Sequence, residues 1–202
     1  MGIRERRDGE KAEMRKKIMD AAVEIINQDG YENLSIRKIA AKIEYSPTAI
    51  YLYYRDKAQI ITDMADGLCR ETESSAAACL EANKSAPVTQ QLRVVLADFI
   101  RFLTGKPEMA KAIIYSGMNV IFANDNKDAT PANEGINMLD RLLLKGIEEE
   151  GFRPGIRGTG WMIVSALLGF VISAIEKRLY LLEDFNRLAD DFVELLTEGI
   201  SR

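Results

Sequence analysis

An all-α chain is predicted: a small N-terminal unit of three helices, followed by a larger C-terminal helical domain. Through nearly every segment of the 202 residues, apolar side chains recur at i, i+3, i+4 and i+7, which is the period of a helix. No stretch alternates apolar and polar residues as a half-buried strand does, and no internal repeat of fixed length is visible. Between the periodic segments, serine or aspartate stands at the starts and glycine or proline at the stops, the chemistry of helix caps. With 47% apolar residues the chain can bury a core, and its composition is globular.

Residues 1–9 are charged and without period, and are expected to form a mobile arm: a frayed terminus first, with contact of Arg4, Arg6 and Arg7 to phosphates or a minor groove as the sharper alternative. A first helix is predicted from about Glu10 to Gln28, with Met14, Ile18, Ala21, Ala22, Ile25 and Ile26 on one face and Asp29-Gly30 as its stop. The stretch Leu34–Ile60 then reads as two short helices and the start of a third. Ser35 caps the first, whose apolar face is Ile36, Ile39, Ala40 and Ile43. Glu44-Tyr45 make the turn. Ser46 caps the second, with Pro47 at its first position, where the missing N–H costs nothing. Asp56 with Gln59 three residues on has the form of a capping box, so the next helix starts at Lys57. Helix, tight turn, helix is the arrangement whose second helix enters a DNA major groove. The predicted division is therefore an arm at 1–9, a helix-turn-helix domain at 10–56, and an effector-binding and dimerisation domain at 57–202.

These residues resemble the DNA-binding signature of the TetR family of transcriptional regulators. Its pattern appears here as Ser35, Ile39-Ala40, Ser46, Ile50-Tyr51, Tyr53-Tyr54 and Lys57. Glu44 stands where the family usually has a turn glycine, Tyr53 where it often has histidine, and Tyr54 where it has phenylalanine. The likeness runs closely from Ile18 to Met64; beyond that only length and helical layout match. It implies a homodimer that binds DNA, usually as a repressor.

The chemistry of the motif gives each side chain a task. Arg37 can reach a guanine edge with two hydrogen bonds, Thr48 a base edge, and the Ala49 methyl a thymine methyl. Tyr51 and Tyr53 can offer hydroxyls to phosphates, and Lys57 a charge beside a helix N-terminus. Ser35, Ser46 and Pro47 complete the candidate DNA-binding set. Tyr54 takes the core position of the family's phenylalanine. The competing explanation is that all three tyrosines are plain core aromatics.

The formal charge of the whole chain is −4, which by itself speaks against nucleic acid. Between Ser35 and Lys57, however, Arg37, Lys38, Lys42, Arg55 and Lys57 face only Glu44 and Asp56, so positive charge gathers at the motif. Cys69 and Cys79 fall ten residues apart on one predicted helix, about 15 Å along its axis. That is far beyond the roughly 7 Å a disulfide spans, and two free thiols suit a reducing cytoplasm. The first residues are charged and no apolar run follows them, so no leader peptide is expected. Gly158–Ile175 carries no charge over 18 residues; the expectation is a buried helix, with a membrane span as the weaker alternative.

Downstream, helices are predicted at about Lys57–Asn83, Val88–Thr104, Pro107–Phe122, Glu134–Glu149, Thr159–Leu181 and Glu183–Ile200. Asn124–Asn133 and Gly151–Gly158 are predicted loops. Met64, Leu68, Phe99, Phe102 and Met118, with Phe122, Met138 and Trp161, are candidates to line an effector pocket. Tyr115 and Asn119 are its polar anchors, a set suited to a small, largely hydrophobic molecule. The Thr159 helix is apolar nearly all round and is expected to be buried all round, one face in its own domain and another against a second copy. Leu167, Val171 and Ile175 on it, with Phe185, Leu188, Phe192 and Leu196 on the last helix, are the candidate two-fold interface.

Catalysis has little to stand on. The chain has no histidine, which removes the commonest general base and metal ligand. Glu148-Glu149-Glu150 and Asp190-Asp191 read as solvated charge, and Gly155, Gly158 and Gly160 lack the strand and spacing of a phosphate loop. No catalytic residue, metal or cofactor is expected. The principal alternative to a regulator is a helical interaction dimer that binds no nucleic acid.

Overall fold

The computed structural model describes residues 3–122, 131–149, 151–154 and 159–201, with side chains described at 5–115 and from 138 onward within those ranges. In chain order the helices are α1 (Ile3–Asp29), α2 (Ile36–Lys42), α3 (Pro47–Tyr51), α4 (Lys57–Ala82), α5 (Val88–Thr104), α6 (Pro107–Phe122), α7 (Pro131–Glu148), α8 (Thr159–Glu176) and α9 (Phe185–Glu198). Short 3-10 turns stand at Tyr31–Asn33 and Leu179–Leu181.

Helix α1 begins earlier than expected, which corrects the irregular arm at 1–9: from Ile3 these residues are helical. Glu5 lies in the first turn, where the helix dipole favours an acid. Arg6 Nε pairs with Glu10 Oε1 at 2.9 Å, an i, i+4 link of the kind that extends a surface helix. Helix α7 likewise starts at Pro131, so residues 131–133 leave the predicted loop. The remainder of that loop, and residues 155–158 of the next one, lie outside the described residues.

The chain divides into two compact units, residues 1–65 with 108–123, and residues 66–107 with 124–202. The expected boundary at 56/57 is thus displaced. In the first unit Ile18, Ile26, Ile39, Ile50 and Tyr54 pack with Ile60, Ile61 and Met64 of α4 and with Ala112 of α6. Helices α1–α3 alone bury too little apolar surface for a stable core, and the start of α4 and the face of α6 supply the rest.

In the second unit α5 lies against α7, α8 and α9. Leu92, Val95, Leu96 and Ile100 of α5, Leu139 and Leu142 of α7, and Val193 of α9 are buried there. Two arginines fasten α5 to α9: Arg93 Nε donates to Thr197 Oγ1 at 3.0 Å, and Arg101 pairs with Asp190. Phe152 is buried, and its ring fills the space where a Cβ at Gly146 would stand.

Helix α8 buries one side within its own chain and leaves another open, as a helix that also meets a second copy would. Ile163, Leu167, Leu168, Val171, Ala174 and Ile175 face inward, while Met162, Ser165, Gly169 and Ser173 form an exposed stripe. Its 18 residues have a mean hydropathy of 1.7 and are 39% buried, long and apolar enough by those measures alone to cross a membrane. The helix stops at Glu176, short of the predicted Leu181, because Arg178 takes a left-handed φ of 54°. Leu167, Val171, Ile175 and Phe185, expected at a two-fold interface, are buried within the chain's own core and have little surface to give. Leu188 keeps its exposure, and Phe192 and Leu196 part of theirs; Leu195 on the same helix is 70% exposed.

Candidate nucleic-acid interface

Helix α2 starts on Ser35, whose Oγ accepts from the Lys38 N–H at 3.2 Å. It closes in a Schellman motif, the Tyr45 N–H donating to Ala40 O at 2.9 Å and the Glu44 N–H to Ala41 O at 3.3 Å. That closure needs a left-handed residue, and Glu44 supplies it with φ 60°. This is the position where the resembled pattern has glycine. Ser46 then caps α3 by accepting the Ala49 N–H at 3.2 Å, with Pro47 in the first turn.

Helix α3 has only five residues, so its orientation depends on what anchors it. Ile50 and Tyr54 are each 1% exposed and point into the unit's core. Opposite them, Thr48, Tyr51 and Leu52 are exposed. Leu52 remains helical, with φ −71° and ψ −19°, so positions i, i+3 and i+4 lie on one open face. Leu52 was missing from the sequence-based set. The spacing that puts Thr48 and Tyr51 together also includes it, and it is 75% exposed.

The basic residues differ in availability. Arg37 is exposed and forms no ion pair among the described residues. Lys38 pairs with Asp29 at 3.2 Å and Lys42 with Glu24 at 2.6 Å; the Lys42 ammonium holds the Glu24 carboxyl below its ordinary range. Lys57 is turned inward, its Nζ donating to Tyr31 O at 3.3 Å and lying 3.9 Å from the Tyr31 ring centroid. The backbone of that same helix start is closed by Asp56 Oδ1, which accepts the Gln59 N–H at 2.9 Å. Gln59 Oε1 accepts in return from the Arg55 N–H at 2.8 Å, one residue before the cap. These bonds, with the Arg55 side chain, lower the Asp56 pKa. Ala49 and Tyr53 are half-buried, and Tyr53 packs on the core.

Behind α3 stands a polar cluster. Arg15 of α1 donates to Tyr53 O at 3.2 Å and to Asp63 Oδ2 of α4 at 2.6 Å. Its guanidinium carbon lies 4.4 Å from the Tyr54 ring centroid, and the Tyr54 hydroxyl donates to the same Asp63 oxygen at 3.0 Å. Burial, with the bond to Asp63 adding to it, pushes the Tyr54 phenol up to about 12.

The candidate effector residues are shared between the units. Met64 is buried in the first, where Tyr115 is exposed. Leu68 is buried in the second, and Phe99, Phe102, Met138 and Trp161 are half-buried there. Met118, Asn119 and Phe122 lie outside the described side chains. A cleft of about 330 Å³ in the second unit is lined by Asp140, Leu143, Phe152, Arg153, Thr159 and Trp161 among others. Of the candidates with described side chains, Trp161 alone is on its wall.

A capped helix-turn-helix with an open second helix and an exposed arginine is the geometry by which such motifs read a DNA groove. Residues 18–64 match the family model of the bacterial regulatory proteins of the tetR family, so the likeness to that family rests on the helix-turn-helix segment. It is 26% identical over 191 residues to the fatty acid metabolism regulator protein of Bacillus subtilis (strain 168), covering 91% of this chain and 93% of the relative. Among solved structures, the fatty acid degradation regulator FadR from Bacillus halodurans superposes with a TM-score of 0.70 at 21% identity. That match covers 91% of this chain and 94% of the other. FadR from Bacillus subtilis, solved in complex with stearoyl-CoA, does so with a TM-score of 0.63 at 24% identity over 92% and 98%. At these identities the two structures show the shared all-α fold.

Proposed function

We propose that the chain is a repressor that sits as a two-fold dimer on a palindromic operator and leaves it on binding a long-chain acyl compound. The observation that carries the DNA half is the open face of Thr48, Tyr51 and Leu52, with Arg37 exposed on the preceding helix. Two such faces must lie about 34 Å apart to enter successive major grooves on one side of a duplex. In this reading Ser35, Ser46 and Pro47 set the backbone near phosphates, while Arg37, Thr48 and Ala49 read bases. Tyr51 holds the strand, while Lys57, turned to Tyr31, and Tyr53, packed on the core, brace the motif.

The effector half rests on the largely apolar candidate set and on the Bacillus subtilis FadR structure that holds stearoyl-CoA. Helix α4 starts beside the motif and runs on into the second unit as one continuous helix, Lys57–Ala82, so it is the natural lever. Such an effector acts only by binding the DNA-incompetent spacing more tightly than the competent one.

Selection of bound duplexes from a random pool tests the first half, and a palindrome is the expected product. Titration of that complex with stearoyl-CoA, stearate and acetyl-CoA tests the second. Release by the long chains and not by acetyl-CoA is expected. Tight stearoyl-CoA binding that leaves operator affinity unchanged would refute the acyl assignment while sparing the DNA half.

A further inference from the structure

Helix α3 is too short to hold its own direction, since a helix of five residues closes few internal hydrogen bonds. Its leading end is fixed by Ser46 and its middle by Ile50. Its trailing end is fixed by the cluster behind it. One oxygen of Asp63, a turn and a half into α4, accepts from both the Tyr54 hydroxyl and the Arg15 guanidinium. The same guanidinium reaches back to the carbonyl of Tyr53.

We propose that Arg15, Tyr54 and Asp63 are positioning residues for DNA recognition. They form a joint that sets the angle at which Thr48, Tyr51 and Leu52 stand out from α4. This rests on the reading of that face as the DNA-binding surface.

The joint depends on a departure from the resembled pattern. Phenylalanine at position 54 would fill the same volume and would stack under Arg15, but it has no hydroxyl for Asp63. Tyr54→Phe therefore removes one hydrogen bond and leaves the packing intact. Asp63→Asn keeps the shape and weakens both bonds to it, because a neutral amide oxygen replaces a carboxylate. Arg15→Lys keeps the charge and loses the planar fork that bridges two acceptors. The cluster is about a third exposed at Arg15 and Asp63, so solvent screens the ion pair and direct hydrogen bonding carries most of its effect.

The test uses the full chain, a duplex selected from a random pool, and a scrambled duplex of equal length at the same salt. Circular dichroism establishes that each variant is folded at the assay temperature. Tyr54→Phe and Asp63→Asn are each expected to weaken the selected duplex about five- to tenfold, the effect of one partly exposed hydrogen bond, and the scrambled one less than twofold. The double variant should lose no more than the worse single one, because the two changes remove a shared bond. Arg15→Lys, which keeps net charge, should copy this pattern if Asp63→Asn proves unstable. Folded variants with unchanged discrimination would overturn the joint and leave a merely structural cluster. Equal losses on both duplexes would overturn it too. If the native chain selects no duplex, the DNA reading fails and the joint falls with it.

Discussion

Glu44 occupies left-handed backbone with φ 60°, a conformation that costs an L residue roughly 1–2 kcal/mol and glycine almost nothing. Glycine also gains freedom in the unfolded chain, which offsets part of that. Glu44→Gly should therefore raise stability by about 0.5–1 kcal/mol, read from urea unfolding; a loss would mean that the Glu44 side chain makes a compensating contact. Tyr54 gives a second prediction. Its phenol titrates near 12 in the fold against roughly 10 when unfolded, so the protonated form is the one the fold prefers. That contribution is complete below about pH 10 and disappears as pH rises toward 12. Urea midpoints at pH 9 and pH 11 should separate for the native chain, and Tyr54→Phe should abolish this part of the difference.

At the level of elements, local chemistry made the helix-turn-helix legible. Ser35, Ser46 and Pro47 act on backbone within three residues of themselves, so their tasks can be read without knowing the fold. The start of α1 was less legible, because a charged, period-free run gives no apolar signal; only the i, i+4 pairing of Arg6 with Glu10 marks it. Leu52 was illegible for the opposite reason, its apolar side chain pointing away from the core. On α3 it is one turn from Thr48, and its natural cover in a major groove is a thymine methyl. Replacing thymines of the selected duplex by uracil, one at a time, should weaken the native chain at one position per half-site. Leu52→Ala should be indifferent to that same exchange. A uracil profile shared by both proteins would show that Leu52 touches no thymine methyl.

For the whole molecule, long-range packing decided what the sequence left open. No local pattern tells that Ala112 of α6 joins the core of the first unit, so a boundary drawn at the start of α4 fell short. Nor can a helix apolar on all sides say which side its own chain will claim. Helix α8 gave Leu167, Val171 and Ile175 to its own core and left Met162, Ser165, Gly169 and Ser173 outside. If the proposed dimer forms through this stripe, Gly169→Arg should break it. Nothing lies within 4 Å of a Cβ added at Gly169, so the protomer itself should fold unchanged. Light scattering at micromolar concentration should report monomers with native helicity; an intact dimer would place the two-fold contact elsewhere.

The brevity of α3 has a consequence for how the free protein exchanges with heavy water. The amides of Leu52 and Tyr53 are bonded within this short helix, to Ala49 O at 3.3 Å and Ile50 O at 2.9 Å, and a brief local opening frees both. The Tyr54 amide donates to Ile50 O at 3.0 Å above a buried ring, so its proton should outlast theirs. Deuterium uptake should thus drop abruptly between two adjacent tyrosines, and duplex should slow it on the near side of that step.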